Sequence, residues 1–285
     1  MIIDDIIQRT NAFKLHETGL DGSGITVAIL DSGIEKDHEF FQDITIEDFQ
    51  VSEGDINDGY GHGTHVAAIL VSIAPKVRIL NIKVIDDLGE SKLSHIMNGI
   101  ILARDNGANL INVSVGIPFP ECPDDHPLSQ LIDSVAEQGI MIVCSAGNDG
   151  PKTSPHFPAS SRNVIAVGSA NRRGKTNKFS SHGPACGKAY PDCIAFGDNI
   201  YAAYPGNTYH ILDGTSQASP QVTGMLALVQ QSRGISFTVE EVEYFLSQSC
   251  DWIESVDKNN VSGWGIIDMW KFIRATELSN IENSL

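Results

Sequence analysis

The chain has 285 residues, of which 41% are hydrophobic and 19% are charged. This composition is typical of a globular protein with a buried core and excludes a disordered one. Its 36 acidic and 19 basic residues give a formal net charge of −17. Such a surface repels phosphate backbones and anionic lipid, so we expect neither nucleic acid nor a membrane among its partners.

The N-terminal and cysteine patterns indicate a cellular compartment. The opening MIIDDIIQRT lacks the basic and apolar segments of a secretory signal, and no apolar run is long enough to cross a membrane. The odd cysteine count predicts reduced thiols and a cytoplasmic location. Cys186 and Cys193 share one loop and could form a disulfide if the chain were exported. The cysteines are Cys122, Cys144, Cys186, Cys193 and Cys250.

Apolar strand patterns and helical patterns alternate along the chain. They predict strands at 25–30, 78–84, 109–115 and 140–146, with helices at 66–73, 91–107 and 128–139. Short strands are predicted around 163–168 and 193–212, and helices at about 216–233 and 238–249, the last opening on a Thr238/Glu241 capping box. Near-continuous apolar strands between helices predict an α/β fold, a three-layer sandwich with a mainly parallel central sheet and helices on both faces. No repeat or linker divides the chain, so we expect one domain over residues 1–285.

Polar residues follow several of the predicted strands. Asp31 follows the first, Ser114-Val115-Gly116 lies at the end of the third, and Gly147-Asn148 follows the fourth. Since ligands of parallel sheets bind at the carboxyl ends of the strands, these residues lie where a site is expected.

Asp31, His62 and Ser216 together indicate acyl-transfer chemistry. Alone, each signal is weak, because such residues often begin a turn, serve structure or cap a helix. Together they supply a carboxylate, an imidazole and a hydroxyl, which nucleophilic catalysis by serine requires. Ser216 precedes an apolar helix, whose N-terminal N–H groups favour developing negative charge.

Four blocks of sequence resemble the subtilase family of serine proteases. They are V-A-I-L-D-S-G (27–33), G-H-G-T-H-V-A (61–67), S-A-G-N (145–148) and G-T-S-Q-A-S-P (214–220). The resemblance extends from about Ile7 to Ala275. It implies an endopeptidase in which Asp31 orients His62, His62 takes a proton from Ser216, and Asn148 donates to the oxyanion.

The same resemblance implies how a substrate would bind. An extended peptide or protein segment would add a strand beside the site, with its backbone paired and alternate side chains in pockets. His156 would lie near the base of the pocket for the P1 side chain. Asp86, Asp87 and Glu90 would lie near the P2 and P4 side chains, where carboxylates favour basic residues. The other implied contacts are Ser114, Val115, Gly116, Ser145, Ala146, Gly147, Leu88 and Gly89.

The chain departs from the family pattern at several positions. Gln217 replaces a Met beside the nucleophile, Ala68 replaces a Gly and Phe196 replaces a Pro. No prodomain precedes the protease, so we expect folding without one or removal of one from this chain. We expect no cofactor in the chemistry. Structural calcium at other loops stays open, although the usual calcium loop is reduced to SIAPKV and Phe40 stands where many relatives have a ligand Asp.

Three alternatives remain open. A metal-dependent hydrolase could use His62 and His65, which have helical spacing but lack a third ligand. A peptide-binding pseudoprotease would keep the fold without turnover. A specialised processing protease or transpeptidase would share the acyl-enzyme chemistry but act on one partner.

The calcium prediction can be tested by thermal unfolding. Because the family's usual calcium site lacks oxygen ligands here, EDTA should change the melting temperature little. Addition of calcium after EDTA is the control, and a large drop that calcium reverses would show that other loops bind the ion.

Overall fold

A computed structural model of the chain describes residues 1, 3–118, 125–151, 156–251, 253 and 255–282, with side chains up to residue 278. Cys122 lies outside these residues. In the described part, seven parallel strands form the central sheet in the spatial order β11-β8-β6-β4-β1-β3-β2. Their bounds are β1 Thr26–Asp31, β2 Ile46–Gln50, β3 Arg78–Lys83, β4 Leu110–Val113, β6 Met141–Ser145, β8 Ile165–Ala170 and β11 Cys193–Phe196.

Helices and small two-stranded sheets surround the central sheet. The paired short strands are β5 Ile117–Pro118 with β7 His156–Phe157, β9 Gly183–Ala185 with β10 Lys188–Tyr190, and β12 Ile200–Tyr204 with β13 Thr208–Leu212. The helices are α1 Ile3–Arg9, α2 Ala12–Glu17, α3 His62–Ile73, α4 Leu93–Asp105, α5 Pro127–Ala136, α6 Thr215–Arg233, α7 Val239–Ser249 and α8 Met269–Glu282, with a 3₁₀ turn at Glu39–Phe41.

The two faces of the sheet bury two separate apolar clusters. Successive side chains of a strand point to opposite faces. Accordingly Val27 and Ile29 of β1 join a cluster with α3 and α6, whereas Ala28 and Leu30 join a cluster with α4 and α5. This arrangement confirms the predicted three-layer α/β fold with a parallel sheet.

Helix α6 is the most deeply buried helix of the described chain. Every residue from Thr215 to Gln230 is buried, and the helix packs against α3 and against strands β4, β6, β8 and β11. Burial on all sides fixes the position of its N-terminus, where Ser216 lies in the first turn.

The sequence predicted most of these elements, with shifts of a few residues at their ends. Helix α3 begins at His62, four residues before the apolar pattern at 66, and the Thr238/Glu241 capping box is present at α7. Edge strand β2 and short helices α1 and α2 were not predicted.

Cys144, Cys193 and Cys250 are buried free thiols, so no disulfide joins Cys193 to Cys186. Burial raises the pKa of the Cys144, Cys193 and Cys250 thiols, which disfavours the reactive thiolate. Among the described residues, no helix is long and apolar enough to span a bilayer.

Candidate active site

The order of the strands creates a crevice beside β1. Strands β2 and β3 lie on one side of β1, and β4, β6, β8 and β11 lie on the other. The direction of winding therefore changes between β1 and β4, and such switch points are where open α/β sheets bind ligands. Asp31 ends β1 and Ser114 follows β4, so both lie at this crevice.

Asp31 and His62 are joined by a hydrogen bond. His62 Nδ1 lies 2.7 Å from Asp31 Oδ1, which also accepts from the backbone N–H of Ser32 at 2.8 Å. Asp31 is fully buried, whereas the His62 side chain is 20% exposed. The imidazole is thus held on its Nδ1 side, and Nε2 is the nitrogen left for chemistry.

Two opposing influences set the pKa of His62. Burial lowers it, but the charge of Asp31, the hydrogen bond to Asp31 and the charge of Asp58 together raise the pKa above the ordinary imidazole value. The imidazolium form is therefore stabilised, so the side chain can hold a proton taken from a neighbouring hydroxyl.

Ser216 opens into the same crevice from α6. Its hydroxyl donates to the backbone carbonyl of Ser114 at 3.2 Å, and in the described chain no hydrogen bond joins it to His62. Both side chains nevertheless line one cleft. Catalytic hydrogen bonds often tighten only when substrate binds, so this geometry is compatible with His62 as the base for Ser216.

The amide of Asn148 has a defined orientation. Its Oδ1 accepts from the Thr215 backbone N–H at 2.9 Å and from the Thr215 hydroxyl at 3.1 Å. Since both contacts need an acceptor, the side chain is oriented with Nδ2 as the remaining donor. The Thr215 hydroxyl also accepts from Gly147 N–H at 3.1 Å, which ties the loop after β6 to the start of α6.

The cleft has a volume of about 270 Å³. Most of the residues that the sequence predicted for the site line it, whereas Asp31 and Ala146 are buried beneath the surface. The lining residues are Tyr60, His62, Ile85, Gly89, Ser114, Val115, Gly116, Ser145, Gly147, Asn148, Asp149, His156 and Ser216.

Of the loop contacts predicted at 87–89, the structure places Gly89 at the cleft and the other two away from it. Gly89 lines the cleft, but Leu88 is 82% exposed. The Asp87 carboxylate accepts from the buried Lys83 ammonium at 2.9 Å and from the Asp55 backbone N–H. Its charge is therefore compensated within the protein.

His156 occupies one side of the cleft. Its Nε2 lies 2.8 Å from Asp149 Oδ2, and its ring packs against the backbones of Gly116 and Gly147. A Cβ on Gly147 would lie 2.5 Å from the ring, so glycine is required there for this close approach. The ring thus reduces the space between these two glycines.

His65 is not oriented toward the cleft. Its Nε2 lies 3.1 Å from the carbonyl oxygen of Ile200 and 3.2 Å from that of His210, so this nitrogen carries a proton and donates. Burial, followed by the neighbouring His62, lowers the pKa of His65 to about 4. His65 is therefore a neutral structural side chain in this arrangement.

Several residues of the site were not predicted from the sequence. Tyr60 is 46% exposed and lines the cleft beside His62, with ring centroids 6.5 Å apart. Thr215 orients Asn148, as described above, and Asp149 pairs with His156. The proximity of Tyr60, Thr215 and Asp149 to the G-H-G-T-H, G-T-S and S-A-G-N motifs was an available signal.

Comparisons with known proteins show which family the chain is similar to. A model of the subtilase family matches residues 22–265. Subtilisin BL of Lederbergia lenta is 32% identical over 274 residues, covering 92% of this chain and 95% of that protein. Thermitase of Thermoactinomyces vulgaris is 34% identical over 243 residues, covering 81% and 82%.

A solved structure, that of the prenylagaramide maturation protease PagA, superimposes with a TM-score of 0.79 at 28% identity, covering 93% of this chain and 97% of that one. The chain belongs to the subtilase family. It is a serine endopeptidase whose substrates are peptides or proteins.

The contact between α3 and β1 allows a test of this geometry. A Cβ on Gly63 would overlap the Gly33 carbonyl oxygen and lie 3.1 Å from the Asp31 Cβ. Gly63→Ala should therefore displace His62 from Asp31 and lower kcat/KM for a peptide by about 10²-fold. Gly107→Ala is the control, because a Cβ there meets no atom within 4 Å. It should cost only about 1–2 kcal/mol of stability, for its left-handed backbone. Equal activity of the two variants would contradict this view of the contact.

Proposed function

We propose that the protein hydrolyses peptide bonds through an acyl-enzyme on Ser216, with His62 as general base, Asp31 as its orienting carboxylate and Asn148 in the oxyanion hole. The observation that carries this proposal is the 2.7 Å hydrogen bond between buried Asp31 and His62, in a cleft that Ser216 also lines.

In the first half of the reaction, Ser216 Oγ attacks the carbonyl carbon of the scissile bond as His62 Nε2 takes its proton. The oxyanion of the tetrahedral intermediate accepts from Asn148 Nδ2 and from the Ser216 backbone N–H. The imidazolium, stabilised by the Asp31 carboxylate, gives its proton to the leaving amine. In the second half, water attacks the ester with His62 again as base, and Ser216 regains its proton.

The walls of the cleft support binding of an extended peptide. Ser114-Val115-Gly116 follows a central strand and Gly89 lies across the cleft, so each offers backbone groups to a substrate strand. Ser145 and Gly147 form the wall that faces His156. Backbone pairing of this kind gives affinity without strong selection of side chains.

We propose that the chemistry needs no metal. His62 Nδ1 is engaged with Asp31 and His65 Nε2 donates to two carbonyl oxygens, so each imidazole keeps one free nitrogen. Among the residues that the structure describes, no group of three His, Cys, Asp or Glu side chains is arranged to hold a metal ion with them. At the family's usual calcium position, Phe40 packs edge-on against Phe41 and against the apolar core. This aromatic environment offers no oxygen ligand and does not fit the ion.

A restricted processing role is a narrower proposal for the same chemistry. The similarity to a protein described as a maturation protease supports it. The free thiols of Cys144, Cys193 and Cys250 are consistent with the reducing, cytoplasmic location predicted from the cysteine pattern, where unrestrained proteolysis would be harmful. A digest of a whole proteome tests it: a few cleaved proteins support processing, and many cleaved proteins support a degradative role.

Ser216→Ala and Asn148→Ala test the mechanism. Ser216→Ala should abolish turnover and labelling by a serine-directed phosphonate while leaving thermal unfolding unchanged, because no core contact is lost. Asn148→Ala should lower kcat by about 10²–10³-fold, the loss seen when one oxyanion donor of a subtilisin is removed.

An unchanged rate in folded Ser216→Ala would rule out the serine mechanism, and turnover sensitive only to chelators would favour the metal alternative. A folded wild-type protein that binds peptides without cleaving them would favour a pseudoprotease.

We further propose that His156 shortens the pocket for the P1 side chain. The ring fills space between Gly116 and Gly147 and has a polar edge toward Asp149. Half-buried Asp86 and exposed Glu90 lie in the loop that flanks the cleft, where carboxylates favour basic side chains at P2 or P4. Asp87 contributes less than the sequence suggested, because Lys83 compensates its charge.

A peptide panel varied one position at a time tests this selectivity. The protein should cleave after small or polar P1 residues faster than after Phe, and gain from Lys or Arg at P2 or P4. His156→Gly should restore cleavage after Phe, because it reopens the pocket, whereas Leu88→Ala on the exposed loop should not. Equal rates for Phe and small P1 residues in the unchanged protein would contradict the assignment.

A further inference from the structure

We propose that Asp58 is a positioning residue of the active site, whose single buried carboxylate ties the first turn of α3 to the end of β1. The proposal rests on the proposed function, since it concerns the same site. The sequence analysis did not single out Asp58, which lies in the loop before the G-H-G-T-H block.

The Asp58 carboxylate accepts four hydrogen bonds although the residue is only 2% exposed. Oδ1 accepts from the Ser32 hydroxyl at 2.7 Å and from Gly61 N–H at 2.6 Å. Oδ2 accepts from Thr64 N–H at 2.8 Å and from the Thr64 hydroxyl at 2.6 Å. These donors occupy the acceptor sites of a carboxylate, so Asp58 leaves no polar atom unpaired in this buried position.

The four donor groups belong to residues close in sequence to Asp31 and to His62. Ser32 directly follows Asp31 in the chain, and Gly61 and Thr64 flank His62. The Ser32 hydroxyl also accepts from Gly63 N–H at 2.9 Å. One side chain thus joins the strand that carries the carboxylate to the helix that carries the imidazole.

Asp58 also takes the place of the missing helix cap. The N-cap residue of α3 is Gly61, which has no side chain to satisfy the first N–H groups of the helix. Asp58 accepts from Thr64 instead and places a negative charge at the positive end of the helix. Capping by Asp58 stabilises the N-terminus of α3. The hydrogen bond from Ser32 is not needed for capping and additionally joins α3 to the end of β1.

The backbone around Asp58 is held in an uncommon conformation. Its φ angle is 72°, in the left-handed region that non-glycine residues seldom adopt. A Cβ on Gly33 would lie 2.9 Å from the Asp58 backbone nitrogen, so the loop packs tightly on the turn that follows Asp31. The loop therefore has little freedom to move independently of β1.

The charge of Asp58 acts on His62 as well. The groups facing His62 are Asp31 from β1, Asp58 from the loop, His65 from the same helix and the ring of Tyr60. Beyond them, Lys83 donates to the Ser32 carbonyl, and Tyr204 packs over Gly61. After Asp31, Asp58 is the other carboxylate that raises the pKa of His62.

The sign of the expected pH effect follows from the role of the base. His62 accepts the Ser216 proton only when it is neutral, so activity falls as the pH drops through the pKa of His62. Asp58→Asn removes one negative charge and should lower this pKa. The acid limb of the kcat/KM profile should then move to lower pH.

The experiment compares Asp58→Asn and Asp58→Ala with Glu53→Gln in the full chain. Glu53 is exposed in the same loop, so its variant loses one charge without losing a buried contact. Three measurements are made: kcat and KM on a peptide, the pH profile of kcat/KM, and the His62 imidazole titration by NMR in a Ser216→Ala background. The titration needs no turnover and therefore separates a failure of this proposal from a failure of the proposed function.

Asp58→Ala should lower kcat by about 10²-fold with little change in KM, because the reacting groups and not the substrate are displaced. Asp58→Asn should retain more of kcat but show the lower His62 pKa, and Glu53→Gln should behave as the unchanged protein. If Asp58→Ala does not fold, Ser32→Ala and Thr64→Val each remove one of the contacts, and Ser32→Ala should lower kcat more. Folded Asp58 variants with unchanged kcat and His62 titration would overturn the proposal and leave Asp58 a helix cap only.

Discussion

The adjacency of β1 and β4 in the parallel sheet is the constraint on which the site depends. Strands β2 and β3, which come next after β1 in the chain, lie on one side of β1. Strand β4 and the later strands of the sheet lie on the other side. The loops after β1 and β4 therefore separate and leave a crevice at the carboxyl edge. Helices α3 and α6, packed together on one face, both begin at this edge, so His62 and Ser216 come from two N-termini that the core holds in place.

Close backbone approach keeps that edge compact. Gly63 lies so near Gly33 that no side chain fits between them, and Gly147 lies equally close to the ring of His156. Distances of this kind are set by packed helices and strands and not by loops alone, which suits chemistry that depends on small displacements. This packing brings His62 within hydrogen-bond distance of Asp31, and the hydrogen bond in turn stabilises the packing.

The sequence predicted the elements whose apolar pattern is continuous, and with them the positions of Asp31, His62 and Ser216. It did not predict β2 at the edge of the sheet, because the residues of this strand are mostly polar and none is fully buried. It did not predict α1 and α2, because these helices are short and depend on tertiary packing of residues such as Ile6 and Leu15. Thr215 and Asp58 were missed for a different reason. Both lie in or near recognisable motifs, but their contacts are hydrogen bonds between segments far apart in the chain, and no local pattern reveals which groups they join.

Selectivity in this site has to come from side chains, because the backbone groups that pair with an extended peptide recognise any sequence. The cleft is lined by the side chains of His156, Asp149 and Tyr60, and each restricts space or adds polarity beside glycine walls. In the proposed selectivity, the loop carboxylates would add a weaker, salt-screened preference, since Lys83 already neutralises Asp87. In the proposed mechanism, the catalytic groups are therefore general to serine hydrolysis, whereas the narrowing around His156 is the feature that would limit this protease to few substrates.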